Sequence, residues 1–484
     1  MTTIKLDPGA ALLLDALHGA GHAAYAVGGC VRDSLLGLAP HDWDLCTSAR
    51  PEQVMALFGE EKCIPTGLQH GTVTVKQGGR LYETTTFRTE GAYSDGRHPD
   101  AVCFVPDVRE DLARRDFTIN AMAYSAEEGL IDPFGGRDDL AAHLVRAVGE
   151  PERRFEEDAL RILRLYRFAA RFGFAIDPAT GAAARALGPH LDCVSAERIQ
   201  EELLKLLAAP RPGSYLEPAV LAVVLPELEP EKQPERFAEL CRTIDRIEPT
   251  AENVPARLAA LLCPLGEAGA RKALRKLKCS NALTDEVTAL EREAGGGAGS
   301  FLLGHEFELR HPADALCLER HSHPAGRCPN SNSLFPPQAA VVAVAGHSIA
   351  RPIACGNRVP PQRTVLGETP GTPNTTLTVQ AKRLLGRYEL PTIQRLTALC
   401  SARHPEQAEA FAALRAEAER LTAENACCRV SQLAVNGRDL MAAGVRPGPG
   451  LRQVLNALLE AVITGQTPNE KDALLAVAAQ FSAS

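Results

Sequence analysis

The sequence predicts an α+β chain, with a mixed α/β head to about residue 150 and almost wholly helical material after it. Three observations carry that prediction. Gly28-Gly29 separates the apolar Ala26-Val27 from a helix suggested by Val31 to Leu38, and Leu81 to Arg88 reads as a strand. From Glu156 to Phe172 the apolar residues Leu160, Leu163 and Tyr166 or Phe168 recur at helical spacing. At 484 residues the length suits about three domains and a sizeable core.

In chain order, the first informative element is the Gly28-Gly29 turn. Without Cβ atoms, its backbone N–H groups can approach a triphosphate at the start of the following helix. His41-Asp42-Trp43-Asp44 comes next, and in an extended strand residues i and i+2 share a face, so Asp42 and Asp44 would aim at one point. Two such carboxylates repel unless a cation sits between them. Mg²⁺ suits them, because it takes hard oxygen ligands and prefers one or two carboxylates plus substrate phosphates. Glu83, within Leu81 to Arg88, is either a third acidic group near the metals or a surface strand residue.

Asp111 to Ala123 then sets Arg114-Arg115-Asp116 and Asn120 directly against an apolar stretch. In the helix from Glu156 to Phe172, Arg161, Arg164 and Arg167 each lie about 60° round from the last at roughly 100° per residue, tracing an oblique basic ridge. Ser195 to Leu204 has the look of an N-capped helix.

Composition excludes several classes. Fourteen cysteines without CxxC pairs, and an adjacent Cys427-Cys428 poorly suited to bridging, point to reduced thiols rather than a disulfide framework. The N-terminus lacks a signal-peptide pattern, and the most apolar stretch, Ala339 to Gly346, is too short to span a bilayer, so a cytoplasmic enzyme with no membrane partner is expected. A net charge of −8 argues against indiscriminate nucleic-acid affinity. Positive charge must therefore be local, in the arginine ridge and in Arg271 to Lys278, which is either a phosphate-backbone patch or a solvated helix face.

Taken in order, GGxVRD, DWD, RRDFTINAMAY, DPFGG and EDxxR closely resemble the class II tRNA nucleotidyltransferases, the CCA-adding enzymes, with the related bacterial poly(A) polymerases alongside. The resemblance is dense from residue 20 to about 210, weak beyond, and resumes from Val435-Asn436-Gly437-Arg438-Asp439-Leu440 to Pro468-Asn469-Glu470-Lys471. It implies a polymerase-beta-like nucleotidyltransferase head, a mixed sheet with helices, followed by an all-helical neck, body and tail. The corresponding boundaries are 1–150 for the head, 151–210 for a nucleotide-selecting neck, 211–296 for the body and 379–484 for a tRNA-binding tail.

The resemblance also implies roles. Asp42 and Asp44 become catalytic Mg²⁺ ligands, Gly28 and Gly29 line the nucleotide, Arg32 and Arg115 contact phosphates, and Asp116 with Asn120 recognises the ribose 2′-OH. Arg suits phosphate because its planar fork pairs with two oxygens and stays charged. Asp158 and Arg161 are assigned to the base, with Arg164 and Arg167 nearby. If Asp158 and Arg161 sit one turn apart on a helix face, the carboxylate accepts from an exocyclic amino group while the guanidinium donates to the neighbouring ring nitrogen. Cytosine and adenine share that edge; uracil and guanine invert it, and buried groups left unpaired give roughly 10⁴ to 10⁵ discrimination.

The implied activity is template-independent addition of CCA to tRNA from CTP and ATP, with two Mg²⁺ ions and no covalent enzyme intermediate. Glu90 to Asp100, Gly-rich and polar, resembles the flexible loop of the complete CCA-adding enzymes. Two rival readings are a poly(A) polymerase and an RNA-binding protein on a decayed transferase scaffold. Leu261 to Gly266 lacks the His-Asp pair with which some relatives bind metal in the body, so no associated phosphohydrolase is expected.

Residues 297–378 depart from all of this. They are rich in Pro, Gly, Ser and Asn, without helical periodicity until Val379, and read as a disordered insertion or a stretch of altered coding sequence. Cys317, His321, His323 and Cys328 fall there with a spacing that matches no standard zinc pattern.

Overall fold

A computed structural model describes residues 3–90, 102–295 and 375–482. The chain opens with α1 (Pro8–Gly19), where the Asp7 carboxylate accepts from the Gly9 and Ala10 amides at 3.0 and 3.3 Å and Pro8 fixes the first helical φ. The head continues through β1 (Ala24–Val27), α2 (Gly29–Leu35), β2 (Leu45–Thr47), α3 (Pro51–Phe58), β3 (Cys63–Gly67), β4 (Thr72–Gln77) and β5 (Arg80–Thr86). After these come β6 (Arg88–Glu90), β7 (Val102–Phe104), α4 (Val108–Ala113), β8 (Ala123–Ser125), β9 (Gly129–Ile131) and α5 (Gly136–Ala141).

Seven strands form one sheet in the order β3-β4-β5-β2-β1-β8-β9, antiparallel except for β2 and β5. The central strands are covered on both faces, since all four residues of β1 and all three of β2 are buried. Tyr25, Val27, Cys46, Phe87, Leu112 and Val148 belong to one core cluster under this sheet. The parallel register of Leu45 against Thr84 places the residue before β2 beside Glu83 of β5.

The neck comprises β10 (Leu144–Val145), α6 (Pro151–Glu157), α7 (Leu160–Phe172), β11 (Ala175–Ile176), α8 (Pro178–Ala186) and α9 (Ala196–Leu207). It is not all helical as expected, because β11 pairs in parallel with β10 and ties the neck across the boundary expected at residue 150. Helix α7 buries Leu160, Ile162, Leu163, Leu165, Tyr166 and Phe168 and stops at Gly173, whose φ of 68° is the left-handed conformation that ends helices. Ser195 does occupy the N-cap of α9 with extended backbone, but its hydroxyl makes no capping bond.

The body adds α10 (Pro218–Val224), α11 (Pro234–Arg246), α12 (Val254–Leu262), α13 (Gly266–Lys276) and α14 (Asn281–Ala294). Beyond residue 374 come α15 (Thr376–Arg387), α16 (Leu390–Arg403) and α17 (Ala408–Ala423). Arg257 of α12 is fully buried and donates to the carbonyls of Leu207, Ala209 and Ile247 at 2.6, 2.5 and 2.5 Å, satisfying acceptors that the ends of α9 and α11 leave open.

The described residues fall into two compact units, one of residues 3–295 with 380–426 and the other of 375–379 with 427–482. The single tail expected for 379–484 is thus divided, because the apolar faces of α16 and α17, including Ile393, Leu396, Leu399 and Phe411, are buried within the first unit. The second unit holds α18 (Gly437–Ala442), α19 (Pro449–Ile463) and α20 (Lys471–Ser482) around Val435, Leu440, Leu458 and Leu474. Its two motif fragments meet: Lys471 Nζ lies 2.6 Å from Asp439, and Asn469 accepts from the Ala434 amide at 2.8 Å and donates to the Gln432 carbonyl at 2.9 Å.

Among the described residues the cysteines are free thiols, and no helix is long and apolar enough to cross a membrane. The loop expected at Glu90 to Asp100, the insertion up to residue 374, and Cys317, His321, His323 and Cys328 lie outside the described residues, apart from the backbone of Glu90 at the end of β6.

Candidate active site

The acidic end of the site is built by the sheet. Asp42 and Asp44 lie just before β2 rather than in a strand, yet the alternation holds: Trp43 is 6 % exposed between two exposed aspartates. The β2–β5 register brings Glu83 to Asp44 from the neighbouring strand. Loss of solvent around its carboxylate, then the Glu83 and Asp42 charges, push the Asp44 carboxyl above the usual range, while Arg115 pulls it down. Like charges facing one another in this way favour a bound cation. No three His, Cys, Asp or Glu side chains among the described residues already close on one metal point. Carboxylates are hard oxygen donors that suit a divalent cation.

The glycine turn follows Val27, whose amide donates to the Asp44 carbonyl at 2.9 Å. Gly28 has φ 77° and ψ −120°, a conformation reserved for glycine, and a Cβ there would lie 2.8 Å from Arg115 Nη1. Arg115 therefore packs against the bare backbone. Its one close ion pair, with Asp111, is long at 3.4 Å, and its Nε is buried without a hydrogen bond. Helix α2 has seven residues and ends three residues before the Leu38 suggested by the sequence, with Gly37 at φ 73° just beyond it.

Arg32 is not presented as an open phosphate ligand. It is 4 % exposed, donates to Asp33 at 2.8 Å and to the Asn120 side-chain oxygen, and lies over the rings of Phe168 and Phe172 at 5.2 and 4.8 Å. Burial lowers its pKa, and Asp33 opposes that shift. Asp116 is as fully engaged: Oδ1 accepts from Asn120 at 3.0 Å and from the Phe117 amide at 2.8 Å, while Oδ2 accepts from Arg164 Nε and Nη2 at 2.9 and 2.6 Å. Although burial alone would raise it, Arg164 and these hydrogen bonds hold the Asp116 carboxyl well below the usual range. A chain of bonds thus runs from α2 through Arg32, Asn120, Asp116 and Arg164 to α7.

The base-reading pair differs from the sequence expectation. Asp158 and Arg161 do not stack on one helix face, because Asp158 is extended (φ −147°, ψ 102°) between α6 and α7 and accepts from the Leu160 amide at 3.1 Å. Arg161, 8 % exposed, turns into the protein and donates to Glu157 at 2.7 Å and to the carbonyls of Arg154 and Arg114, each at 3.1 Å. Nor is the arginine ridge a solvated stripe. Arg167 donates to buried Glu202 at 2.5 Å, and Arg164 lies 4.0 Å from the same carboxylate.

Sequence reasoning gave no role to Arg198, Glu202 or Glu157 and did not set Phe168 and Phe172 against Arg32. A signal existed: Arg198 and Glu202 are one turn apart on α9, within a segment otherwise read only for its cap. The DPFGG run proves to be scaffolding. Asp132 accepts from the Gly136 and Arg137 amides at 2.7 and 2.8 Å, and a Cβ at Gly136 would meet the Thr118 carbonyl at 2.2 Å. On α13, Arg271 pairs with Asp285 at 2.9 Å, whereas Lys272, Arg275 and Lys276, and Lys278 just beyond the helix, are exposed.

Comparison with known proteins bears on this geometry. Residues 24–146 match the family described as Poly A polymerase head domain, 173–231 match Probable RNA and SrmB- binding site of polymerase A, and 387–478 match tRNA nucleotidyltransferase domain 2 putative. A CCA-adding enzyme of Leuconostoc citreum is 45% identical over 257 residues, 53% of this chain and 63% of that protein. Other partial matches span from 48% of the length of the Limosilactobacillus fermentum enzyme to 68% of that of the Lactobacillus helveticus enzyme. A CCA-adding enzyme of Lactiplantibacillus plantarum is 32% identical across 96% of this chain and 93% of its own length. The crystal structure of the Bacillus stearothermophilus CCA-adding enzyme in complex with CTP superposes with a TM-score of 0.68 at 29% identity, covering 99% of this chain and 98% of that one.

Proposed function

The chain belongs to the CCA-adding enzyme family, and on that premise we propose that it adds C, C and A to the 3′ end of tRNA from CTP and ATP without a template, releasing pyrophosphate, in the cytoplasm. The observation that carries the reading is the juxtaposition of Asp44 with Glu83 on one side and with Arg115 on the other, where Arg115 packs against the bare Gly28 backbone. Carboxylates for metal and a guanidinium beside a Cβ-free turn are what a triphosphate with its cation requires.

Family membership implies a divalent metal, and the donor set argues for Mg²⁺ held by Asp42 and Asp44, with Glu83 as a third acidic neighbour. When bound, such ions lower the pKa of the attacking 3′-hydroxyl and offset charge on the departing pyrophosphate. The chain's own groups do the rest. Arg115 receives phosphate oxygens, with the Gly28-Gly29 backbone beside it. Asp116 and Asn120 stand for the ribose, and Arg32 and Arg164 hold them in place through the bonds described above. Asp158 accepts from the amino group shared by cytosine and adenine, with Arg161 behind it and Arg167 fixing α7 against α9. Arg161 reaches a base only by exchanging its bond to Glu157 or to a carbonyl.

The test is incubation of the purified chain with tRNA lacking its 3′ CCA, offering each NTP singly and CTP with ATP, with product lengths read on a gel. Three residues added with CTP plus ATP are expected. Long A tracts would instead favour a poly(A) polymerase, and no extension would sink the transferase reading.

A further inference from the structure

The Asp158 carboxylate discriminates between base edges only if its orientation is fixed and an acceptor position is left open. Both conditions are met from α9. Arg198 reaches Oδ1 through Nη1 at 3.2 Å and Oδ2 through Nη2 at 2.7 Å, a two-point clamp on both oxygens. The Leu160 amide adds a third bond to Oδ1 at 3.1 Å. With two lone pairs on each oxygen, Oδ1 is then filled and Oδ2 keeps one acceptor position. The clamp is itself anchored, since Glu202, one turn further along α9 and 5 % exposed, takes Arg167 of α7 at 2.5 Å.

We propose that Arg198 is a positioning residue for base selection: by occupying three of the four lone-pair sites of Asp158 together with the Leu160 amide, it leaves one site on Oδ2, at which the exocyclic amino group of cytosine or adenine docks. Uracil and guanine bring a carbonyl oxygen to that site, lone pair against lone pair, and the clamped carboxylate cannot rotate to relieve it. The proposal rests on the transferase reading given above but concerns nucleotide binding, so it is tested without RNA.

The experiment measures equilibrium affinity of the full chain for CTP and for UTP by calorimetry, in the unsubstituted protein and in Arg198→Met, Arg198→Lys, Asp158→Ala and the Asp158→Ala/Arg198→Met double variant, each shown by melting to be folded. Losing a charge-assisted bond that fixes the reader is expected to cut the preference for CTP about ten-fold or more in Arg198→Met. A smaller fall is expected in Arg198→Lys, which keeps the cation but not the two-point fork. In the Asp158→Ala background Arg198→Met should change the preference no further, because Arg198 acts only through Asp158. An unchanged preference in either folded Arg198 variant overturns the proposal, as does an equal fall with Asp158 already removed. Loss of preference in a chain that never extends RNA would uphold the clamp and refute the transferase reading, which keeps the two failures apart.

Discussion

Glu291 offers a prediction that owes nothing to tRNA. It lies on α14 at 4 % exposure, and its Oε1 makes no hydrogen bond. Burial pushes its carboxyl from an ordinary 4.5 up to about 7, and Arg403 only partly opposes this. Arg403 donates to the Ala294 carbonyl at 2.9 Å. Because the folded-state pKa is raised, the stabilising contribution is fully present below about pH 4.5, falls as the unfolded chain ionises first, and is gone above about pH 7. Each unit being worth about 1.4 kcal/mol, the folded unit should lose about 2 to 3 kcal/mol between pH 5 and pH 8 from this group alone. Glu291→Gln removes the ionisation and leaves an amide whose burial cost, about 1 to 3 kcal/mol, does not change with pH. The comparison is therefore of slopes: thermal melts of both proteins at pH 5 and pH 8 should show the variant gaining about 5 °C on the unsubstituted chain as pH rises, at roughly 2 °C per kcal/mol for a unit of this size. Parallel pH profiles would refute the reasoning.

Three further perturbations address the candidate site. Asp44→Ala should abolish addition of both C and A, because it removes a proposed metal ligand common to both, while tRNA affinity measured by filter binding stays roughly as it was; near-normal turnover would mean the metal assignment is wrong. Gly28→Ala places a methyl group 2.8 Å from Arg115 Nη1 in a backbone conformation that L-residues avoid. It should lower turnover about ten-fold or more, with a strain cost of roughly 1 to 3 kcal/mol in denaturant melts, and full activity would show that the close approach does not matter. Asp116→Asn removes the charge and one of two acceptor oxygens, so the amide cannot serve both Arg164 and the Asn120–Phe117 pair. A loss of about 3 kcal/mol is expected, read by urea unfolding, and a variant as stable as the parent would count against the Arg32–Asn120–Asp116–Arg164 chain as a structural tie.

The sequence by itself determined the class of fold and the chemical parts. Gly28-Gly29, Asp42 and Asp44, the Arg115-Asp116 run and the helix holding Arg161 are local patterns, and strand alternation, a glycine turn and helical spacing are properties of short stretches that need no partner. Even the neighbouring roles of Asp42 and Asp44 follow from two residues of alternation, which Trp43 preserves by being buried between them. What the tertiary structure alone decided is which groups spend their charges on one another. That Glu83, exposed on its strand, stands beside Asp44 follows only from the parallel register of β2 and β5. Arg32 read as a phosphate ligand until Phe168 and Phe172, some 140 residues away in sequence, closed over it. Asp158 and Arg161 read as a stacked pair until the break between α6 and α7 turned them apart and α9 delivered Arg198 to one while Glu157 took the other. Hydrogen bonds and ion pairs between distant elements depend on packing, where a shift of an ångström or two makes or breaks the contact, and no spacing along the chain encodes that distance.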